Sequence, residues 1–329
     1  MLTKAMYDYL KADLVIDGVW DTIVNESPII HRLPFKPTNN DILKYNLELT
    51  MPTVDWVSTG DDINEGTGTI SQRTTNVYTV IGDAYTNKAR IAMNPDQNPE
   101  AVDIEAKAKA MAYAFETAFI LGQTSTSSSE KEFKGILRML AEFESSTTTD
   151  IDGLNNSQAI PVSATSGALT MPFMDELVDA IKPGKPDMLL MSKRARRKLN
   201  AIMRASGTSG MTLMELKEFG IFVPSYDTIP IFVSDFVPNN LQDGSASVLA
   251  IASYAQATAR GAGYDNTAIF AMKLGNDDLC GLQAGGITHE RETFLEKKNA
   301  IANRFSWNVS AMCKKKYSMA ALFNINPDS

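Results

Sequence analysis

Two strand-like runs, "LKYNLELTMPTVDWVST" and "ISQRTTNVYTVIGDAYTNKARIA", flank the turn-forming segment "GDDINEGTG". Thr, Val and Tyr recur in both runs, and Gly, Asp and Asn fill the connection, which is the pattern of a long β-hairpin from Leu43 to Met93. Between Trp56 and Tyr78 the aliphatic side chains are Val57, Ile63, Ile70 and Val77, too few to close a core of their own. A two-stranded ribbon is marginal in water, and its edge N–H and C=O groups seek partners. The chain is therefore expected to project a ribbon that something outside the subunit completes.

The next segment is the clearest helix. Asn98 serves as N-cap, Pro99 takes the first position, Glu100 lies in the first turn and Gly122 closes the run. Ile104, Ala108, Met111, Phe115 and Phe119 form one continuous apolar stripe. About twenty-three residues at 1.5 Å rise give a rod of roughly 35 Å. Before the hairpin, Thr3 to Asn25 has helical spacing at Val15, Val19 and Ile23, weakened by Gly18. Pro28, Pro34 and Pro37 then punctuate "NESPIIHRLPFKPTNND", which reads as an extended arm rather than a packed element.

After the long helix, polar tracts at "GQTSTSSSE" and Ser145 to Gln158 bracket "KEFKGILRML". Beyond Pro161 elements alternate: helix "PFMDELVDAI", strand "DMLLM", helix Ser192 to Ala205, helix-like "MTLMELKEFG", and strands "IPIFVSD", "SVLAIAS" and "TAIFAMK". From Ile287 onward the pattern is of long strands ending on Ala320 to Ile325. The class is α+β or α/β layering.

Motifs of chemistry are scarce. His31 and His289 lie far apart with no His or Cys at ligand spacing, so both read as structural, and Cys280 and Cys313 spell neither a disulfide framework nor a zinc ribbon. No G-x-x-x-x-G-K-[ST] or G-x-S-x-G occurs, and "RGAGY" lacks the third glycine of a dinucleotide loop. "GDDINEG" fails as a calcium loop, because Gly66 at position six puts Ile63 at position three and Gln72 at position twelve, where oxygen ligands are needed. The pairs Asp61/Asp62 and Asp277/Asp278 read as solvated loop residues, and Met211 and Met214 as core filling. No cofactor or metal is expected. The early charges Lys4, Asp8, Lys11, Asp13 and Asp17 argue against a secretory leader, and no apolar run is long enough to cross a bilayer as a helix. The two sparsely spaced cysteines fit a reducing, cytoplasmic setting.

One stretch runs against the net charge of -8: "MSKRARRKLNAIMRASG". Ser192 is a good N-cap, and Ala195, Leu199, Ile202 and Met203 form an apolar stripe, leaving Lys193, Arg194 and Arg197 on the other surface. Three readings stand: a nucleic-acid grip, a solvated flank, or a charged face for a neighbouring copy. The preceding helix carries Asp175, Glu176 and Asp179, so its acidic face and this basic one suit complementary contact between copies, where charge sets register more than strength. A phosphate grip would call for a basic surround, which this acidic chain does not offer.

Taken in order, these segments resemble the major capsid proteins of tailed bacteriophages, with their Hong Kong 97-type shell fold, over nearly the whole chain. The resemblance rests on the arm with "SPIIHRLPF", the run "GTGTISQRTTNVYTVIGDAYTNKA" similar to the family's E-loop, "NPEAVDIEAKAKAMAYAFETAFILG" similar to its spine helix, "EFKGIL" after it, and "PDMLLMSKRARRKLNAI" with "IPIFVSDFVP" similar to its A-domain. It implies an α+β protein divided as arm 1–42, E-loop 43–94, P-domain 95–160, A-domain 161–286 and returning P-domain strands 287–329. It further implies self-association as pentamers and hexamers into an icosahedral shell around double-stranded DNA bound without sequence specificity, assembled in the host cytoplasm and located in the virion, with a portal protein as partner. Contacts between subunits are expected at Trp56, Asp61, Asp62, Glu65, Arg73 and Tyr78 of the E-loop, and charge pairing at Asp175, Glu176, Asp179, Lys193, Arg194 and Arg197 of the A-domain.

Two departures from the family pattern matter. Trp56 to Thr86 contains no lysine, so a lysine–asparagine cross-link in this hairpin is not expected. The chain starts almost at the arm, which implies a separate scaffolding protein or other direction of assembly. An encapsulin-type nanocompartment with the same fold is the nearest alternative, and an α/β metabolic enzyme using the segment after Pro161 is a more distant one.

Overall fold

A computed structural model of the chain describes residues 27–50, 52, 54–60, 62, 65–93, 99–123, 131–144, 158–162, 167–205, 212–216, 221–239, 266–293 and 298–326. In chain order the elements are α1 (Pro28–Arg32), β1 (Phe35–Pro37), β2 (Ile42–Thr50), β3 (Thr69–Asn76), β4 (Tyr78–Asn87), α2 (Lys88–Met93), α3 (Pro99–Leu121), α4 (Ile136–Glu144), β5 (Ala159–Pro161), α5 (Met171–Asp179), β6 (Met188–Met191) and α6 (Lys193–Ala205). There follow β7 (Thr212–Leu216), β8 (Ile221–Tyr226), β9 (Ile229–Val233), β10 (Thr267–Met272), β11 (Leu279–Glu292), β12 (Ala300–Cys313) and β13 (Met319–Ile325). The expected helix at Thr3 to Asn25 and the strand "SVLAIAS" lie outside the described residues.

The long helix α3 has the bounds its sequence announces, and Ala108, Met111, Phe115 and Phe119 are buried along the expected stripe. Phe115 is the centre of an aromatic cluster, with ring centroids of Trp307, Phe133, Phe119 and Phe35 at 5.1, 5.6, 5.9 and 6.0 Å. The turn after the helix is tight. A Cβ on Gly122 would lie 2.1 Å from the Phe133 carbonyl oxygen, so only glycine lets the chain double back there. The Gly135 amide then donates to the Gly122 carbonyl at 2.9 Å, and α4 packs against α3.

Among the described residues the strands form three sheets: β1-β11-β12-β4, β5-β13-β10-β6-β9-β8-β7, and the ribbon β2-β3. The seven-stranded sheet is covered on both sides, and its side chains alternate with the strand period of two. Leu189, Met191, Ile269, Ala271, Ala320 and Leu322 turn to a core shared with α5 and α6. Their neighbours Met188, Leu190, Phe270, Met272, Ala321 and Phe323 join the main core with α3, α4 and the four-stranded sheet. In β12 the odd residues Phe305, Trp307, Val309, Ala311 and Cys313 face that same core.

Several expectations are corrected. The proline-punctuated arm is packed: Ser27 caps α1 by accepting from the Ile30 amide at 3.5 Å, Pro28 opens the helix, and Ile29, Ile30 and Leu33 are buried in the main core. β1 then pairs in parallel with β11, and Gly281 clears room for the Phe35 ring, which a Cβ there would approach to 2.6 Å. "MTLMEL" is not helical: β7 pairs antiparallel with β8, because the β8–β9 pairing leaves β8 with an open edge that Thr212–Leu216 fills. The hairpin is shorter than the sequence suggests, since β4 leaves the ribbon and pairs with β12 in unbroken register from Tyr78↔Val309 to Asn87↔Ala300. The last strands also divide differently: β11 begins at Leu279, within the expected A-domain, and β13 lies between β5 and β10 in the seven-stranded sheet rather than in the sheet of β11 and β12.

Candidate assembly interface

The ribbon is anchored at one end and bare at the other. At its base Leu43 and Tyr45 of β2 pack on Cys280, Leu282 and Met312, the face of the four-stranded sheet opposite the main core. Burial pushes the Tyr45 phenol far above its ordinary pKa, so it stays neutral. Thr75 of β3 shares a hydrogen bond with the Ser310 hydroxyl at 3.2 Å and donates to the Ala311 carbonyl at 3.4 Å. Towards the tip the apolar side chains lose these supports: Ile70 is 64% exposed, Val54 88% and Trp56 103%. A side chain of that size fully in water forgoes about 1.5–3 kcal/mol of burial free energy.

The six hairpin residues expected at subunit contacts fall into two groups. Trp56, Asp62 and Glu65 are exposed at the distal part, while Asp61 lies outside the described residues. Arg73 and Tyr78 instead face their own subunit. Arg73 reaches Glu142 at the end of α4, and the Tyr78 hydroxyl accepts from the Gln123 side chain at 3.2 Å. These two belong to the anchor, because β3 and β4 run past the turn that follows α3.

The charged helices α5 and α6 lie on the same face of the seven-stranded sheet, with Met174, Leu177, Val178, Ala195, Leu199 and Met203 buried beneath them. Ser192 caps α6 as expected, accepting from the Ala195 amide at 3.2 Å. Within the chain, Lys193 pairs with Asp235 at 2.6 Å, and the Tyr226 hydroxyl donates to Asp175. Burial, with Asp175 adding to it, raises the Tyr226 pKa well above its usual value. Glu176, Asp179 and Arg197 are exposed and have no ion-pair partner among the described residues. Arg194 is half-buried on the same helix.

A second exposed apolar area escaped the sequence reading. Ile81 and Tyr85 of β4, Met93 of α2 and Val102 of α3 are largely in solvent, beside a groove of about 420 Å³ lined by Ala84, Tyr85, Asp103, Ala106, Lys107 and Ala110. The available signal was the adjacent pairs Val80-Ile81 and Ala84-Tyr85, which place apolar side chains on both faces of one strand. Another missed residue is Glu116: spacing of four from Ala112 and eight from Ala108 puts an acid on the buried stripe of α3.

Among the described residues no group of His, Cys, Asp or Glu is placed to hold a metal ion, and no helix is long and apolar enough to cross a membrane. The His289 ring stacks on Phe305 at 4.7 Å and bonds Asn303 at 3.0 Å, while the side chain of His31 lies outside the described residues. What the surface offers is an anchored ribbon with an apolar, acidic end.

Solved structures share this architecture at low sequence identity. The SrpI encapsulin of Synechococcus elongatus PCC 7942 aligns with a TM-score of 0.61 and 15% identity over 92% of this chain and 89% of its own. A structure from Mycobacterium phage Ogopogo gives 0.58 and 14% over 90% and 91%, and the capsid of a native GTA particle 0.56 and 13% over 92% and 90%. These likenesses speak for the fold. No curated protein matches the chain. A family model described as SU10 major capsid protein matches residues 5–264. On that match and on the architecture above, the chain belongs to the SU10 major capsid protein family, a structural component of the virion capsid rather than an enzyme, built on the Hong Kong 97-type fold.

Proposed function

We propose that the distal ribbon is the element by which one copy grips the next in the shell, and that copies associate as pentamers and hexamers. The observation that carries this reading is Trp56, wholly exposed at the end of a ribbon whose base is pinned by Leu43, Tyr45, Arg73 and Thr75. An anchored lever with an apolar tip gains from a neighbour what its own subunit withholds. Head-to-tail contacts of this type close into rings. Asp55, Asp62 and Glu65 beside the tip, with Glu176, Asp179, Arg194 and Arg197 on α5 and α6, supply charge that sets register between copies.

Assembly takes place in the host cytoplasm, directed by a separate scaffolding protein, with a portal protein at one vertex and double-stranded DNA packaged without sequence readout. The acidic net charge of -8 supports that last point, since a strongly basic wall would bind phosphate tightly and hinder packing and release. Coexpression with candidate scaffolding genes, followed by negative-stain microscopy, tests the reading. Uniform closed shells are expected from the native chain, and none from Trp56→Ala combined with Val54→Ser, although that variant stays folded. Normal shells from the double variant would overturn the role of the ribbon.

A further inference from the structure

Glu116 is 2% exposed, midway along α3, in a face otherwise made of Ala108, Ala112, Phe115 and Phe119. Its carboxyl meets two hydroxyls, those of Ser27 and Ser234. Each serine oxygen already accepts a backbone N–H: Ser27 from Ile30 at 3.5 Å, capping α1, and Ser234 from Phe236 at 3.1 Å, just after β9. Accepting these N–H groups leaves each hydroxyl its own proton, free to be donated to Glu116. Three segments remote in sequence thus meet on one side chain: the start of α1, the middle of α3 and the loop that leaves the seven-stranded sheet.

No cation among the described residues acts on this carboxyl. The charged group that faces it is Asp235, of like sign and itself held by Lys193 at 2.6 Å. A buried carboxylate without a cation is costly, and two neutral hydroxyls offset only part of that cost. The protonated form escapes it. Opening the joint would let water reach the carboxylate and remove the same penalty, so joint closure and proton uptake favour each other.

We propose that Glu116 is a proton-operated latch, closing the joint between α1, the spine helix α3 and the Ser234–Phe236 loop when protonated and loosening it when ionised. The direction of its titration agrees: burial raises the Glu116 pKa above its ordinary value of 4.5, against the lowering effect of the two serine hydroxyls. With the closed-state pKa raised, the closed joint is most stable below 4.5, loses stability as pH climbs to the raised value, and changes no further above it.

Native-state hydrogen exchange on the isolated subunit, followed at the amides of residues 29–33 and 234–237 and corrected for intrinsic rates, reads the latch directly. In the native protein the opening equilibrium should grow with pH above 4.5 by up to about tenfold per unit and then level off. Glu116→Gln should abolish the slope and leave these amides more protected at pH 8 than in the native protein. Equal profiles in the two proteins would overturn the latch. Should Glu116→Gln fail to fold, a carboxyl-carbon titration of Glu116 in the native subunit decides, and a pKa at or below 4.5 would overturn it. The measurement is made on subunits, so it stands or falls apart from the ribbon's role between copies.

Discussion

The guanidinium of Arg73 on the ribbon donates to the main-chain carbonyl of Glu142 at 3.4 Å, and lies 3.8 Å from its carboxylate, joining residues 69 positions apart. Lys134 at 2.9 Å and Arg138 at 3.2 Å converge on the same carboxylate. Removing it leaves three cations crowded at a partly buried site. Glu142→Ala should therefore cost about 1–2 kcal/mol, read as a lower urea midpoint, whereas Arg73→Ala, which leaves the other two pairs intact, should cost less.

Gly122→Ala should be far more damaging than its size suggests. The added methyl would lie 2.1 Å from the Phe133 oxygen and 2.4 Å from that of Ala118, both main-chain atoms, so α3 and α4 must move apart. A loss of about 3 kcal/mol or more is expected in equilibrium unfolding. A loss below 1 kcal/mol would show that this turn yields easily.

Acid should loosen the outer part of β11. Arg291 holds Glu100 with bonds of 2.7 and 3.1 Å and Asn303 adds one at 2.9 Å, and the Arg291 bonds chiefly hold the Glu100 pKa below its ordinary value of 4.5. The pair's stabilisation is present above 4.5 and is lost as pH falls through the lowered value. Thermal melts between pH 3 and 6 should show a steeper acid decline for the native chain than for Glu100→Gln, which begins weaker but has no charge to lose.

Cys280 and Cys313 are both fully buried. Burial pushes the Cys280 thiol up to about 11 and the Cys313 thiol higher still, so almost no thiolate exists at pH 8. Neither should react with a thiol reagent in the folded subunit, and both should react at once in denaturant. Prompt labelling of either in the native state would show that its sheet opens readily.

Charge reversal tests α6. Arg194→Glu with Arg197→Glu should leave the melting point of the subunit within the range of ordinary surface changes, because the apolar stripe of Ala195, Leu199 and Met203 is untouched. Shell yield in coexpression should fall. An undiminished yield would show that this face meets solvent rather than a neighbour.

Local signals were legible where the chain announces its own geometry. The 23-residue helix Pro99–Leu121 carried its stripe and its stop, the expected cap Asn98 lying outside the described residues, and Ser192 marked the start of α6. The ribbon, too, could be read from its poverty of aliphatic residues. What the sequence concealed depends on tertiary partners. "SPIIHRLP" looks extended by its prolines, yet Ser27 and Pro28 nucleate one helical turn and three aliphatic side chains bury it. "MTLMEL" has helical spacing and becomes a strand because an open edge is waiting beside it. Trp56, expected at a contact between copies, lies exposed on the ribbon, but nothing in Arg73 or Tyr78 told that they would turn inward to Glu142 and Gln123.

The position of β13 bears on how the subunit can be made. Met319–Ile325 pairs with β10 on one side and β5 on the other, so the seven-stranded sheet stays in two pieces until this strand arrives. A ribosome must deliver the chain as far as Ile325 before Phe270 and Ala271 lose their exposure to water on that side. Until then nascent chains carry a sticky, unpaired border, and a chaperone that shields it would govern how many competent subunits each messenger yields.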